Sequence, residues 1–174
     1  MCSSQQAVVR PAQLAVPWLP GTLLGVGLGG FVDGIVFHQL LQWHHMLSAR
    51  HGFAPTTVEN LKENTLADGL FHGLTWTAVA IGLWLIWRRR RAAWQWAGTG
   101  RALIGWMLVG WGSFDVVEGV VDHEILGIHH VRDDVENHLP WDLGFLALGA
   151  LLILVGLLLA RSSGQTAEPD NSMV

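Results

Sequence analysis

Residues Gly25–Met46 read GVGLGGFVDGIVFHQLLQWHHM, and the rest of the chain is best understood from this stretch. It is long and apolar enough to cross a bilayer, whose hydrocarbon core of ~30 Å needs about 20 helical residues. It nevertheless carries Asp33 and His38 inside and ends in His44 and His45. An ionisable side chain in hydrocarbon costs several kcal/mol unless it is paired or ligated. The stretch therefore predicts a membrane helix that faces a polar centre.

The composition is typical of a membrane protein. Hydrophobic residues make up 51% of the 174 residues and charged residues only 14%, whereas a soluble domain carries about a quarter charged residues. The one basic run, Arg88–Arg91, directly follows an apolar segment. The expected partner is therefore the lipid bilayer, and nucleic acid is excluded. The single cysteine, Cys2, excludes an internal disulfide.

Four apolar segments have the length of a membrane span. They run at about 18–43, 66–87, 102–121 and 141–160, and tryptophans lie at several of their ends, as in an interfacial aromatic belt. The sequence therefore predicts an all-α fold, a four-span transmembrane helix bundle. Residues 1–17 are expected to form a cytoplasmic N-terminal segment and residues 161–174 a disordered C-terminal tail.

The basic residues are divided unevenly between the two ends of these segments. Seven flank one end, and three, Arg50, Lys62 and Arg132, flank the other. The positive-inside rule therefore places both termini in the cytoplasm and the loops 44–65 and 122–140 outside. The seven cytoplasmic residues are Arg10, Arg88, Arg89, Arg90, Arg91, Arg101 and Arg161.

Each segment carries ionisable residues towards its outer end and none in its cytoplasmic half. In the second segment, Asp68 and His72 are four residues apart and therefore share one helical face. With a rise of 1.5 Å per residue, the groups on different segments fall at matching depths. The candidate metal ligands are His38, His72, Asp68, Asp122, His123, Asp33 and Asp142.

Imidazole and carboxylate donors together suit zinc, iron or manganese, so a divalent metal, zinc or iron, is the expected cofactor. We expect one ion to bind His38, His72 and one carboxylate among Asp68, Glu118 and Asp122. Haem with His38 and His72 as axial ligands is less favoured, because several carboxylates would lie against the macrocycle. In the structural alternative, the same histidines are hydrogen-bonded to Asp68 and Glu118 and no ion is present.

Six further histidines lie in the outer loops, where they are either additional ligands or solvated residues. An enzyme that uses metal-activated water would also need a general base, and Glu118 and Asp115 are the candidates for this catalytic role. The loop histidines are His44, His45, His51, His129, His130 and His138.

Three strings together resemble a bacterial family of predicted inner-membrane proteins, domain of unknown function 2243. They are Gly25–Ser48, Glu63–His72 (ENTLADGLFH) and Phe114–Arg132 (FDVVEGVVDHEILGIHHVR), and the similarity covers about residues 18–160. The resemblance implies a membrane location and four spans. It implies no activity and no functional residues.

The sequence supports two main hypotheses about function. The first is an integral inner-membrane protein with a His/Asp/Glu metal site in the outer half of the bundle, which performs metal-dependent hydrolysis or redox chemistry at headgroup depth. The alternative is a non-enzymatic protein that binds metal or haem and delivers it to a respiratory-chain or metal-handling partner. A proton or ion pathway ranks last, because the cytoplasmic half of each segment lacks ionisable residues.

Overall fold

The computed structural model describes residues 17–93 and 99–162, and its regular structure is entirely helical. Helices α1 and α3 each continue into a π-helical extension, Asp33–Leu40 and Gly119–Ile125. No strand is present in these two ranges, so the predicted all-α class is confirmed. The helices are α1 (Trp18–Val32), α2 (Val58–Ala93), α3 (Thr99–Glu118) and α4 (Leu139–Ser162).

Counted with their π-helical extensions, the four helices of the described ranges are long and apolar enough to cross a membrane, as the sequence predicts. Helix α2 begins at Val58, upstream of its expected span, so that its first turns extend beyond the apolar part. Large apolar side chains such as Leu74 (73% exposed) and Leu154 (55% exposed) point away from the bundle. This outward apolar face suits contact with lipid. The N-terminal segment up to residue 16 and the tail from residue 163 lie outside the described residues.

Glycines set the way in which the helices pack. A Cβ atom on Gly25 would meet the backbone of α3 at Met107, and one on Gly110 would meet the backbone of α1 at Thr22. Small residues at such crossings allow helix backbones to approach closely in lipid. Gly21, near the start of α1, faces Trp106 of α3, and Gly29, further along α1, faces Phe114. The two helices therefore run in the same direction.

The pairs α1–α2 and α3–α4 pack with opposite direction. In the first pair, Gly27 faces Val79 and Gly34 faces Phe71. Along α3, glycines 105, 112 and 119 in turn face positions 156, 149 and 145 of α4. The bundle therefore consists of two antiparallel helix pairs, and these pairs contact each other where α1 packs against α3.

The buried polar side chains gather at one end of this bundle, where α1 and α3 finish and α2 and α4 begin. Two loops, 41–57 and 126–138, close this end. The loops are joined to each other, because Ala49 N donates to Ile128 O at 3.0 Å and Asp133 N donates to Trp43 O at 3.0 Å. The buried polar residues of this end are Asp33, His38, His44, Asn64, Asp68, Asp115, Glu118, His123, His129 and Asp142.

Candidate metal centre

Asp33, His38 and His44 bring three potential ligand atoms together in the buried end of the bundle. One donor atom from each residue lies within 4.8 Å of the other two. The Nε2 atom of His38 is 3.0 Å from Oδ2 of Asp33, and Nε2 of His44 is 3.8 Å from Oδ1 of the same carboxylate. Ligands on one tetrahedral zinc ion lie about 3.4 Å apart, given metal–ligand distances of about 2.0 to 2.1 Å. The three side chains are therefore spaced as a metal site requires.

The π-helical extension of α1 explains why Asp33 and His38 share one face. The two residues are five positions apart, which is the hydrogen-bond spacing of a π-helix. In an α-helix, five residues would turn the side chains about 140° away from each other. The residues Glu118 and His123 have the same spacing at the junction of α3 with its own extension. Short π-helical segments occur frequently at functional sites.

Hydrogen bonds at Nδ1 fix the orientation of both histidines. Nδ1 of His44 lies 2.9 Å from Val131 O, and because a carbonyl can only accept, Nδ1 carries the proton. Nδ1 of His38 lies 3.0 Å from the Asp68 carboxylate, which is likewise an acceptor. In the neutral imidazole, the remaining Nε2 lone pair is then free to bind a cation. Metal-binding histidines have this arrangement in general.

The opposite ring nitrogens of these two histidines, the Nε2 atoms, do not form hydrogen bonds of this kind. Nε2 of His38 and of His44, and Oδ2 of Asp33, are buried without a hydrogen-bond partner among the described residues. The 3.0 Å contact between His38 and Asp33 is short, but the two groups are not aligned as donor and acceptor. Buried polar atoms are almost always paired, so a group of unpaired ones requires an explanation. A shared cation at which all three point would provide it.

Burial also keeps His44 and His129 neutral, because it lowers the pKa of both side chains. Removal from water lowers the pKa of His44 to about 3, and the neighbouring His129 ring adds to the effect. Burial likewise lowers the pKa of His129. Neutral imidazole is the form that binds a metal, so both rings are ready ligands at neutral pH.

The second half of the chain repeats the first. Residues 33–45, DGIVFHQLLQWHH, correspond to residues 118–130, EGVVDHEILGIHH, which lie 85 positions later. Both strings begin at a π-helical extension and contain a residue with positive φ at matching places, Gln42 (53°) and Gly127 (55°). The loop histidines are therefore part of a repeated structural unit.

The hydrogen bonds repeat as well. Asp68 of α2 accepts from His45 Nδ1 at 2.7 Å and from Met46 N at 2.9 Å. Asp142 of α4 accepts from His130 Nδ1 at 2.8 Å and from Val131 N at 3.0 Å. Each aspartate thus holds the loop that follows the preceding helix.

The two halves also exchange equivalent contacts. His44 donates to Val131 O, and His129 Nδ1 lies 3.3 Å from Met46 O, with each partner 85 positions from its counterpart. The rings of His44 and His129 stack on each other, with centroids 4.7 Å apart and planes 4° apart. Reciprocal contacts of this kind are what a two-fold axis produces. Since α1 and α3 run in the same direction, this pseudo-two-fold axis lies along the bundle.

The counterpart of Asp33, His38 and His44 is Glu118, His123 and His129. All three are buried, with His129 at 0% exposure. His129 Nε2 is 3.6 Å from Glu118 Oε1, close to the 3.8 Å between His44 and Asp33. Both carboxylate oxygens of Glu118 and the Nε2 atoms of His123 and His129 lack a hydrogen-bond partner in the described ranges.

The other predicted ligands occupy different places. Asp68 and Asp142 lie behind the histidines, next to Nδ1 of His38 (3.0 Å) and His123 (3.3 Å). His72 Nδ1 donates to the carbonyl of Asp68 in its own helix at 2.7 Å, and its ring packs against Gly34. Its Nε2 is not one of the converging ligand atoms, and the pairing of His38 with His72 stays a prediction.

The remaining predicted acids lie beside the two groups. Asp115 is buried, and its Oδ2 has no hydrogen-bond partner in the described part of the chain. It shares with Asp33 a cavity of about 50 Å³, whose wall includes Trp111 and Phe145. This is space enough for water. Asp122 is half-buried and interacts electrostatically with His129.

Sequence reasoning left the loop histidines ambiguous, and the structure separates them. His44 and His129 enter the buried groups, whereas His45 and His130 bond to the supporting aspartates. The ring of His138 stacks on His130, and His51 is exposed. The signal that could have sorted them is the repeat, because corresponding positions in two copies carry corresponding roles.

A surface cleft leads towards His44. It has a volume of about 520 Å³, and its lining includes His44 and His45 together with Asp133 and Asp134. Imidazole and carboxylate groups on its walls attract cations. The cleft lies on the loop-covered end of the bundle.

The match with known families supports the membrane assignment. Residues 20–163 match the family model described as predicted membrane protein (DUF2243). No similar protein was found among curated proteins, and none among solved structures. The matched range contains α1 to α4 almost entirely, together with both buried groups of ligand atoms. The chain therefore belongs to the predicted membrane protein family DUF2243.

Proposed function

We propose that this protein is an integral inner-membrane metalloprotein that binds a divalent ion, zinc or iron, through Asp33, His38 and His44. The observation that carries the proposal is the set of unpartnered donor atoms that converge within 4.8 Å in a buried position. Hydrogen bonds from the opposite ring nitrogens hold both imidazoles in the ligating orientation. Among the described residues, none of these atoms has a hydrogen-bond partner.

The donor set favours zinc or iron over other groups. Two imidazoles and one carboxylate, with coordination positions left over, form catalytic zinc sites and non-haem iron sites. Calcium prefers oxygen donors only. Haem is disfavoured, because the ring of His38 has the ring of His44 at 4.5 Å and the Asp33 carboxylate at 3.0 Å, where a macrocycle would have to lie.

The chemistry supported best is hydrolysis or redox reaction at the ion. A bound zinc would lower the pKa of a water ligand, and Asp115, which lines the same small cavity as Asp33, is the first candidate to accept the proton. Glu118 is the second candidate base, since both of its oxygens lack a hydrogen-bond partner within residues 17–93 and 99–162. A bound iron would instead support electron transfer or oxygen chemistry.

Metal capture and delivery is the second candidate function. The cleft lined by His44, His45 and Asp133 favours it, because it connects the surface to a ligand of the buried group. A carrier for a respiratory-chain or metal-handling partner would release its ion to a competing ligand within minutes. A catalytic centre would retain it.

The first experiment is elemental analysis of the purified protein, with His38→Ala, His44→Ala and the control His51→Ala. We expect stoichiometric zinc or iron in the unaltered protein and in H51A, because His51 is exposed and is not one of the converging residues. H38A and H44A should each lose the ion of this group while keeping their helical circular dichroism. Visible and electron paramagnetic resonance spectra then distinguish iron from zinc, and a Soret band would indicate haem.

Two results would contradict the proposal. One is a folded, unaltered protein that neither contains zinc or iron nor takes either ion up after incubation with its salt. The other is equal metal content in H38A, H44A and H51A. In either case, the histidines would serve only to join the loops to the helices.

A further inference from the structure

We propose that the protein holds a second metal ion, bound by Glu118, His123 and His129, so that the two sequence repeats form one two-metal centre. This inference deepens the proposed function and rests on it. It starts from the repeat, because Glu118, His123 and His129 occupy the positions that correspond to Asp33, His38 and His44. A duplicated unit that retains its donor residues retains the capacity to bind.

The rings of the second group are arranged like those of the first, although among the described residues only Asp33, His38 and His44 bring all three donor atoms within 4.8 Å of one another. The rings of His123 and His129 have centroids 4.9 Å apart and planes at 74°, compared with 4.5 Å and 72° for His38 and His44. Each set also has its acid beside the loop histidine, at 3.6 Å for Glu118 and His129. The two sets of rings are thus arranged alike around the pseudo-two-fold axis.

The supporting contacts of the second group lie at the corresponding positions but are longer than those of the first. Nδ1 of His129 faces the carbonyl of Met46 at 3.3 Å, and Nδ1 of His123 lies 3.3 Å from Asp142 without forming a hydrogen bond in the described part of the chain. Their Nε2 atoms and both oxygens of Glu118 are buried without a hydrogen-bond partner in the described part of the chain. A buried carboxylate that lacks any partner is costly. A cation between these atoms would remove that cost.

Glu118 links the two groups. Its side chain is one methylene longer than that of Asp33, and the two carboxyl groups interact electrostatically with each other. A carboxylate in such a position can bridge two ions, as in di-metal sites built inside helix bundles. The His44–His129 stack adds a direct contact between the two sets. The two ions would therefore belong to one centre, and the expected occupants are zinc, iron or manganese, which accept imidazole and carboxylate donors.

The two half-sites are not identical. Asp122 corresponds to Phe37, so an additional carboxylate accompanies the second group. It interacts with His129. When Asp68 of α2 is aligned with Asp142 of α4, His72 corresponds to Leu146. The second group therefore has no imidazole at the position of His72. The second ion would consequently have more oxygen donors available than the first.

The stoichiometry of Zn²⁺ binding tests the inference. Protein stripped with a chelator is incubated with excess Zn²⁺, desalted and measured by elemental analysis. We expect two ions per chain for the unaltered protein and for His51→Ala. Glu118→Gln, which keeps the size of the side chain and removes its charge, and His123→Ala should each retain one ion. The double variant H38A/H123A should retain none.

The possible results separate this inference from the proposed function. One ion per chain that survives H123A and E118Q and disappears in H38A would overturn the second ion and leave the proposed function intact. No ion in the folded, unaltered protein would overturn both. Circular dichroism and gel filtration establish which variants are folded. If H123A is not folded, the number of Zn²⁺ ions per chain in the unaltered protein and in E118Q still shows whether a second ion binds.

Discussion

The histidines of the buried end are oriented by residues that do not themselves need to touch an ion. Asp68 illustrates this, because its two oxygens serve His38 Nδ1 at 3.0 Å and His45 Nδ1 at 2.7 Å. A carboxylate at Nδ1 fixes the tautomer and raises the basicity of Nε2. The metal affinity should therefore depend on Asp68 almost as strongly as on the histidine itself.

We expect Asp68→Asn to weaken zinc binding about 10- to 100-fold, the usual effect of losing such a support. Competition with a coloured chelator measures the dissociation constant directly. The matched control is Glu63→Gln, an exposed acid on the same helix, for which we expect no change. Equal affinity in D68N and E63Q would mean that Asp68 only anchors the loop.

At the residue scale, the acids and the membrane histidines are candidate ligands by sequence because charge inside an apolar segment is conspicuous. Asp33 and His38 are candidates of this kind, and the structure brings their side chains together. His44 and His129 were not resolved from the solvated loop histidines, because nothing local distinguishes a loop that folds over the bundle from one that extends into water. Their burial, 2% and 0% exposed, results from contacts with residues 83 to 87 positions away.

At the scale of single elements, the π-helical extensions are the feature that periodicity could not predict. The pattern of Asp68 and His72 was interpreted with an α-helical period, which directs them to one face. The same period applied to Asp33 and His38 separates them, whereas the π-helical turn brings them together. An apolar segment with two polar residues five apart is the sequence signal for this arrangement, and it occurs in both repeats.

The two halves of the chain pack against each other mainly where α1 crosses α3, so this crossing positions one half relative to the other. Gly25→Ala and Gly110→Ala would each direct a methyl group into the backbone of the opposite helix. Because a backbone cannot move aside as a side chain can, we expect a loss of about 1–3 kcal/mol or more, typical of overpacking. Thermal unfolding in detergent should show similarly lowered midpoints for both variants.

The control for this prediction is Gly144→Ala, since a Cβ atom there would meet nothing within 4 Å. Its unfolding midpoint should equal or slightly exceed that of the unaltered protein, because alanine is the better helix former. If G25A were as stable as G144A, this result would contradict the close contact between the backbones of α1 and α3 at Gly25.

At the scale of the whole molecule, the four spans were predictable from hydropathy, and the symmetry was not. The two repeats share few residues outside the ligand positions, so hydropathy alone shows four segments and not two copies of two. The relation becomes clear when equivalent hydrogen bonds, such as those of Asp68 and Asp142, are compared. A pseudo-two-fold axis along the membrane normal is common among membrane proteins built from parallel repeats.

The orientation in the membrane follows from the seven-to-three distribution of basic residues. We expect both termini and the 88–101 connection in the cytoplasm, with the proposed metal centre near the opposite surface. Reporter fusions after residues 95 and 130 test this expectation, because they should report opposite sides with residue 95 inside. If both fusions reported the same side, the number of spans would have to be revised.

The central claim, that buried imidazoles bind a metal ion, is tested most directly by X-ray absorption at the metal edge of the purified protein. We predict a nearest shell of nitrogen and oxygen donors at about 2.0 to 2.2 Å, with the outer scattering of two imidazole rings per ion. The height of the absorption edge per protein chain should fall in His38→Ala, because this variant loses the ion of the first group. A shell of oxygen donors without imidazole scattering, or an edge height per chain that is unchanged in H38A, would contradict the account.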